Sequence, residues 1–87
     1  MTTDRKPTIP EVLPLIRAYY AKDDNSAGGS LHIVLEDGNI HDVYLLYAQQ
    51  WAQERGDEDG ERLVLLLMRM SRTQRSKLAS MSHYFWL

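Results

Sequence analysis

Six polar residues that could act as acids, bases or metal ligands fall between positions 32 and 42. They are His32, Glu36, Asp37, Asn39, His41 and Asp42. In a helix His32 and Glu36 share a face, and zinc binds imidazole nitrogens and carboxylate oxygens. The candidate metal ligands are therefore His32, Glu36 and His41. The chain has no His-Glu-x-x-His motif, so a structural role is favoured, with Asp37 and Asn39 forming a turn and a helix cap.

A second cluster is basic and lies near the end of the chain. It consists of Arg69, Arg72, Arg75 and Lys77. Two helices meeting at Ser71 would suit a helix-turn-helix protein whose last helix contacts nucleic acid. The turn lacks the usual glycine and the net charge is −2, which favours pairing of these cations with the acids of 54–61, or exposure to solvent.

The remaining motifs give little support for catalysis. A Gly28-Gly29-Ser30 turn precedes a helix, but no Gly-x-x-x-x-Gly-Lys phosphate loop is present. Several serines lie near His83 without a Gly-x-Ser-x-Gly elbow. The absence of cysteine excludes thiol catalysis, disulfides and cysteine-ligated zinc. We therefore predict a protein that is not an enzyme and that needs no cofactor.

The 87 residues, 44% of them hydrophobic, are enough for one small domain. Without disulfides, the domain must depend on its apolar core or on a partner subunit. The longest apolar run, 63–68, is too short to cross a bilayer, and the first residues lack the unbroken apolar stretch of a secretory signal. We expect a cytoplasmic protein without membrane contact.

Hydrophobic periodicity predicts an all-α bundle after a flexible N-terminal arm at residues 1–8, with residues 9–87 forming a single domain. Four to five short helices are expected at about 10–22, 30–36, 40–55, 58–70 and 72–82. The first helix begins either near Pro14 or near Pro10 with a distorted first turn. The β-branched content of 31–35 also suits a strand, but that strand would need a second subunit for pairing.

The helices at 40–55 and 58–70 carry most of the apolar side chains. Asn39 is the expected cap of the first, Gly56 its left-handed end, and Asp57 the cap of the second. The apolar stripe of helix 40–55 is Ile40, Val43, Tyr44, Tyr47, Ala48, Trp51 and Ala52. Because helix 58–70 is apolar on nearly every side, it lies either at the centre of the bundle or against a second subunit.

Charge is distributed unevenly along the chain. Residues 23–61 contain ten carboxylates and one arginine, whereas residues 62–87 contain five cations and no carboxylate side chain. Such polarity can steer a charged partner toward the protein, or it can pair one part of the fold with another. The intramolecular interpretation is favoured for a small domain.

The string Ala27-Gly28-Gly29-Ser30-Leu31-His32-Ile33-Val34-Leu35-Glu36-Asp37-Gly38-Asn39 resembles small uncharacterised proteins of tailed bacteriophages and prophages. The similarity continues through Gly56-Asp57, Leu66-Leu67 and Ser71-Arg72-Thr73-Gln74-Arg75, and covers about residues 9–78. It implies a phage or prophage origin and a bacterial intracellular setting. It brings no activity and no catalytic residues.

We accordingly predict a phage-type accessory protein that acts by protein–protein interaction. The candidate interaction residues are Leu31, His32, Asp37, Asn39, Tyr84, Phe85 and Trp86. A homodimer is the first expected partner, because helix 58–70 and the aromatic terminus exceed the needs of one small core; a host or phage protein is the second. The alternatives are a nucleic-acid-binding regulator using the basic cluster and, third, a metal-dependent activity at His32, Glu36 and His41.

Overall fold

Four α-helices and an irregular helical segment form the fold in a computed structural model, which describes residues 6–22, 29–36 and 41–81. The helices are α1 (Ile9–Ala21), α2 (Asp42–Arg55), α3 (Glu58–Arg69) and α4 (Arg72–Ser80). Between α1 and α2, a 3₁₀ turn at Gly29–Leu31 continues into a π-helical turn at His32–Glu36. The described residues contain no strand, so the prediction of a small all-α bundle is confirmed and residues 31–35 are helical.

The start of α1 is fixed by a reciprocal pair of side chains. The Glu11 carboxylate accepts hydrogen bonds from the Thr8 backbone N–H at 3.2 Å and from the Thr8 hydroxyl at 2.9 Å. The helix begins at Ile9 and continues through Pro14, so it begins near Pro10, one of the two predicted alternatives. Pro7, which belongs to the predicted arm at residues 1–8, is buried.

The junctions between the later helices follow the capping residues in the sequence. Gly56 ends α2 in the left-handed conformation, with φ of 70°. The Asp57 carboxylate then accepts a 3.1 Å hydrogen bond from the Gly60 N–H at the start of α3. Ser71 caps α4 in the same way by accepting from Gln74 N–H at 3.2 Å. These three predicted boundaries are confirmed.

The predicted cap of α2 was wrong, and its predicted inward face was right at Ala48 and Ala52 but wrong at three larger residues. The helix begins at Asp42 with His41 as its cap residue, and Asn39 lies outside the described residues. Its buried residues are Leu45, Ala48 and Ala52, whereas Val43, Tyr44 and Tyr47 of the predicted stripe are exposed. Apolar residues cover more of this helix than one neighbour can bury, and the two alanines allow close approach to α3.

The core lies where α3 meets the other elements. Helix α3 packs against α2, α1 and the 3₁₀ turn, which is the central position predicted as one alternative for 58–70. The fully buried large side chains come from every helical element: Val12, Ile16, Tyr19, Leu31, Val34, Leu35, Leu45, Val64, Leu67, Met70 and Leu78. Among the residues described, no helix combines the length and the apolar character that a bilayer span requires.

Candidate interaction surface

One side of α2 presents large apolar side chains to solvent. The exposed fractions are 65% for Val43, 40% for Tyr44, 54% for Leu46 and 56% for Tyr47, and we call these four residues the α2 outer face. Val43, Leu46 and Tyr47 lie on the side of the helix away from Leu45 and Ala48, and Tyr44 lies at the edge of that side, because successive residues turn by about 100°. Clustered exposed apolar residues are typical of surfaces that bind another macromolecule.

Acidic side chains lie at both ends of this face. Asp42 precedes it, with 78% of the side chain exposed even though its carboxylate accepts a 2.9 Å bond from Arg75. Glu54, also exposed, lies one helical repeat beyond Tyr47 on the same side. The surface is therefore apolar at its centre and has an exposed carboxylate at each end, of which that of Asp42 is paired with Arg75.

Arg75 anchors the beginning of α2 to α4. Only 5% of the residue is exposed, its Nε donates to the Met70 carbonyl at 3.3 Å, and its Nη1 donates to Asp42. A second arginine contact lies beside the first, where the Arg72 guanidinium donates to His41 Nδ1 at 2.5 Å. The two contacts hold His41 and Asp42 in place at the edge of the α2 outer face.

The basic cluster does not form one surface. Arg75 is buried and links α4 to α2. Arg72 donates a hydrogen bond to His41, and Arg69 and Lys77 are exposed. The interpretation that these cations pair with the acids of 54–61 was wrong for Arg75, because its carboxylate partner is Asp42. The acids of 57–61 instead bond to residues of α1, α2 and α3, including Lys22, Gln53 and Arg62.

Only two of the three candidate metal ligands, His32 and His41, have side chains that the structure describes. His32 and His41 are both exposed, and His41 uses its Nδ1 as an acceptor for Arg72. The Glu36 side chain is not among those described. Within residues 6–22, 29–36 and 41–81, no group of three or more His, Cys, Asp or Glu side chains is placed to hold a metal ion.

The candidate interaction residues fall into three groups. Leu31 has none of its surface exposed, so its expected place on an interaction surface was wrong and it belongs to the core. His32 is exposed, as a surface residue must be. Asp37, Asn39, Tyr84, Phe85 and Trp86 lie outside the described residues.

A buried polar network ties α1 and the 3₁₀ turn to the start of α3. The Ser30 N–H donates to Tyr19 Oη at 2.8 Å, and the Tyr19 hydroxyl donates to Asp57 Oδ2 at 2.5 Å. The Ser30 hydroxyl donates to the same carboxylate oxygen at 2.9 Å. Burial, followed by the hydrogen bond to Asp57, raises the pKa of Tyr19 to about 12. At neutral pH the phenol is therefore a donor that holds the fold together.

A cleft of about 480 Å³ lies beside this network, between the end of α1 and the α2–α3 junction. Its lining is Lys22, Gly29, Trp51, Arg55, Gly56, Asp57, Glu58 and Asp59. Both cations of the cleft have partners in its lining. Lys22 pairs with Asp59, and the Arg55 guanidinium lies 3.8 Å from the centre of the Trp51 ring. Asp57 caps α3, so the cleft presents no nucleophile activated by an adjacent base.

A smaller groove of about 180 Å³ lies between α1 and α3. Leu15, Ala18 and Leu63 form its apolar lining, Lys22 and Arg62 are its basic residues, and Tyr19 and Asp59 complete it. We call this the α1–α3 groove. Asp59 pairs with both basic side chains, which leaves the groove with an excess of positive charge.

Sequence reasoning missed both surfaces. Leu46 was absent from the predicted apolar stripe, and Leu15 was counted with the apolar side of α1 although 49% of it is exposed. The available signal was the apolar excess of α2, in which Val43, Tyr44, Leu46 and Tyr47 span more of the helix than the core can cover.

Comparison with models of known protein families, with curated proteins and with solved structures finds no match to this chain.

Proposed function

We propose that this protein acts by binding other proteins through the α2 outer face and has no catalytic activity of its own. The observation that carries the proposal is the exposure of Val43, Leu46 and Tyr47 side by side on one helix. Exposing these side chains costs solvation free energy, and covering them with a partner recovers about 25 cal/mol for each Å² of apolar surface buried. Tyrosine is also enriched among the residues that dominate protein interfaces.

The rest of the structure supports binding over catalysis. The acids around the larger cleft are engaged as caps and ion pairs, and Tyr19 holds its proton to high pH. The rival proposal, nucleic-acid binding, is weakened because Arg75 of the basic cluster is buried and donates hydrogen bonds to the Met70 carbonyl and the Asp42 carboxylate. In addition, carboxylates border the exposed apolar face, and these would repel a phosphate backbone.

The resemblance to proteins of tailed bacteriophages and prophages supports a further part of the proposal. The partners would then be phage or bacterial host proteins in the cytoplasm of an infected cell. No residue role depends on this setting.

Affinity capture with matched variants tests the proposal. Wild-type protein, Leu46→Lys and Ser76→Lys would each be immobilised and exposed to a bacterial lysate with and without nuclease treatment, with helicity measured by circular dichroism. Leu46→Lys places a charge in the centre of the α2 outer face, whereas Ser76→Lys places a charge at an exposed position on α4.

We expect proteins captured by the wild type and by Ser76→Lys to be lost with Leu46→Lys while helicity is unchanged. Equal capture by all three chains would overturn the proposal. A specific signal that is present only in the untreated lysate would show that the protein binds nucleic acid instead.

A further inference from the structure

The α1–α3 groove offers a receptor for the α2 outer face on the same polypeptide. Resting on the proposed function, we infer that a second copy of this chain is a partner, and that it inserts its α2 outer face into the α1–α3 groove. One copy supplies the projecting side chains of Leu46 and Tyr47, and the other supplies the groove lined by Leu15 and Ala18.

The size and lining of the groove fit an apolar side chain of a partner protein. Its volume of about 180 Å³ is below the range of about 300–1,000 Å³ that is typical of small-molecule sites. Leu15, Ala18 and Leu63 provide an apolar surface, and Leu15 is half exposed although it lies beside the groove. A bound Leu46 or Tyr47 side chain would cover apolar surface on both copies.

Charge complementarity selects a second copy as the occupant. Lys22 and Arg62 leave the groove with excess positive charge after pairing with Asp59. The α2 outer face has the exposed carboxylate of Glu54 at one end, whereas Asp42 at the other end is already paired with Arg75. Contact between the two surfaces therefore brings the Glu54 carboxylate toward the cations of the groove, beside an apolar centre, which favours this contact over the pairing of two α2 faces.

The contact joins two different surfaces, so each chain carries one donor face and one acceptor groove. Such a head-to-tail contact extends into longer chains unless rotation closes it into a ring. A contact between two α2 outer faces would stop at a dimer. This difference makes the inference testable by mixing variants.

Sedimentation of the full chain at several protein concentrations and at low and high salt provides the test. Leu46→Lys blocks the face, and Ala18→Lys blocks the groove at an exposed position. The matched controls are Ser76→Lys on α4 and Ala21→Lys on α1, both exposed and both outside the two surfaces. Each blocking variant is expected to weaken self-association by at least about tenfold, and each control by less than about threefold.

The decisive arm mixes Leu46→Lys with Ala18→Lys. Each variant keeps one intact surface, so the mixture should form dimers that neither forms alone and that weaken as salt is raised.

Wild-type protein that stays monomeric, or assembly that survives Ala18→Lys, would overturn the inference. If the wild type is monomeric but Leu46→Lys still loses captured proteins, the self-association fails while the proposed function stands. If Leu46→Lys changes neither readout, both fail.

Discussion

The Asp57 side chain connects α1 and the 3₁₀ turn to the start of α3 through hydrogen bonds. Its carboxylate accepts hydrogen bonds from the Tyr19 and Ser30 hydroxyls while it caps α3 through the Gly60 N–H. A carboxylate at this position also interacts favourably with the positive end of the α3 dipole. The capping role could be inferred from sequence, whereas the bonds to α1 and the 3₁₀ turn could not, because nothing local connects residues 19, 30 and 57.

A glycine makes room for this network, and it gives a direct prediction. Gly29 has φ of 51°, and an added Cβ would overlap the Tyr19 hydroxyl. We expect Gly29→Ala to lower the free energy of unfolding by about 2–5 kcal/mol, through backbone strain and displacement of Tyr19. Urea unfolding at neutral pH measures the change.

Gly56→Ala is the matched control for that experiment. Gly56 also has a positive φ, of 70°, but a Cβ there would meet no atom within 4 Å. It should cost only about 1–2 kcal/mol, the penalty for a left-handed backbone. Equal losses for the two variants would mean that the added Cβ at position 29 does not displace Tyr19.

The Tyr19 phenol makes stability depend on alkaline pH. Burial, with the hydrogen bond to Asp57, raises its pKa to about 12, above the value of about 10 for an unfolded tyrosine. The neutral phenol is therefore favoured in the folded state. This contribution to stability is fully present below pH of about 10 and is lost as the pH rises toward 12.

Urea unfolding at a series of pH values up to 11, compared with Tyr19→Phe, measures that contribution. The wild type should lose stability between pH 10 and 11 more steeply than the variant, because the variant has no proton to release at position 19. Tyr44→Phe is the control, since Tyr44 is on the exposed side of α2 and should leave the slope unchanged. Identical slopes for all three proteins would contradict the assignment.

At the scale of the helices, local signals predicted where elements end better than which side they bury. Gly56, Asp57 and Ser71 act through bonds to residues within five positions, so their roles are visible in sequence. The rotation of α2 depends on which apolar side meets α3, and Val43 and Leu45 are equally suited to a core by residue type. Tertiary packing decides that choice.

The candidate site shows the same division. An excess of apolar residues on helix 58–70 and in the aromatic terminus led to the expectation of a binding partner, whereas the exposed apolar face lies on α2. The α1–α3 groove could not be predicted, because Leu15 and Leu63 are far apart in the chain and lie in one groove only after α1 packs on α3. The turn at 29–36 was predicted as helical, but its 3₁₀ and π geometry was not predicted.

Helix α4 is a weakly attached element. It packs mainly on the π-helical turn, and its buried residues are Arg75 and Leu78. Arg75→Ala would leave the Met70 carbonyl and the Asp42 carboxylate without that donor, a loss of about 1–3 kcal/mol. We therefore expect local opening of α4 before global unfolding.

Hydrogen exchange resolves that prediction helix by helix. In Arg75→Ala, amide exchange should accelerate across Arg72–Ser80 while α2 and α3 keep most of their protection. Lys77→Ala is the control on the same helix, because Lys77 is exposed. A uniform rise in exchange across all helices would show that α4 opens only with the whole domain.

At the scale of the whole molecule, the assembly inferred above depends on both charge and apolar exposure. The acidic segment 23–61 contributes the carboxylates beside the α2 outer face, and the cations of the α1–α3 groove come from Lys22 and Arg62, outside that segment. Apolar contact supplies most of the attraction in such an interface, whereas charge selects the register. Screening by salt should therefore weaken assembly without changing the fold of each chain.

Small-angle scattering can measure assembly through the radius of gyration at several protein concentrations. The single chain has a Cα radius of gyration of 12.0 Å, which is the size expected for a folded domain of this length. At low salt, the radius measured for the wild type should rise continuously with protein concentration, because a head-to-tail contact adds copies without a fixed limit. Ala18→Lys should keep the single-chain value over the same range, and Ala21→Lys should behave as the wild type. A wild-type radius that levels off at a dimer and is insensitive to Ala18→Lys would point to pairing of two α2 outer faces instead.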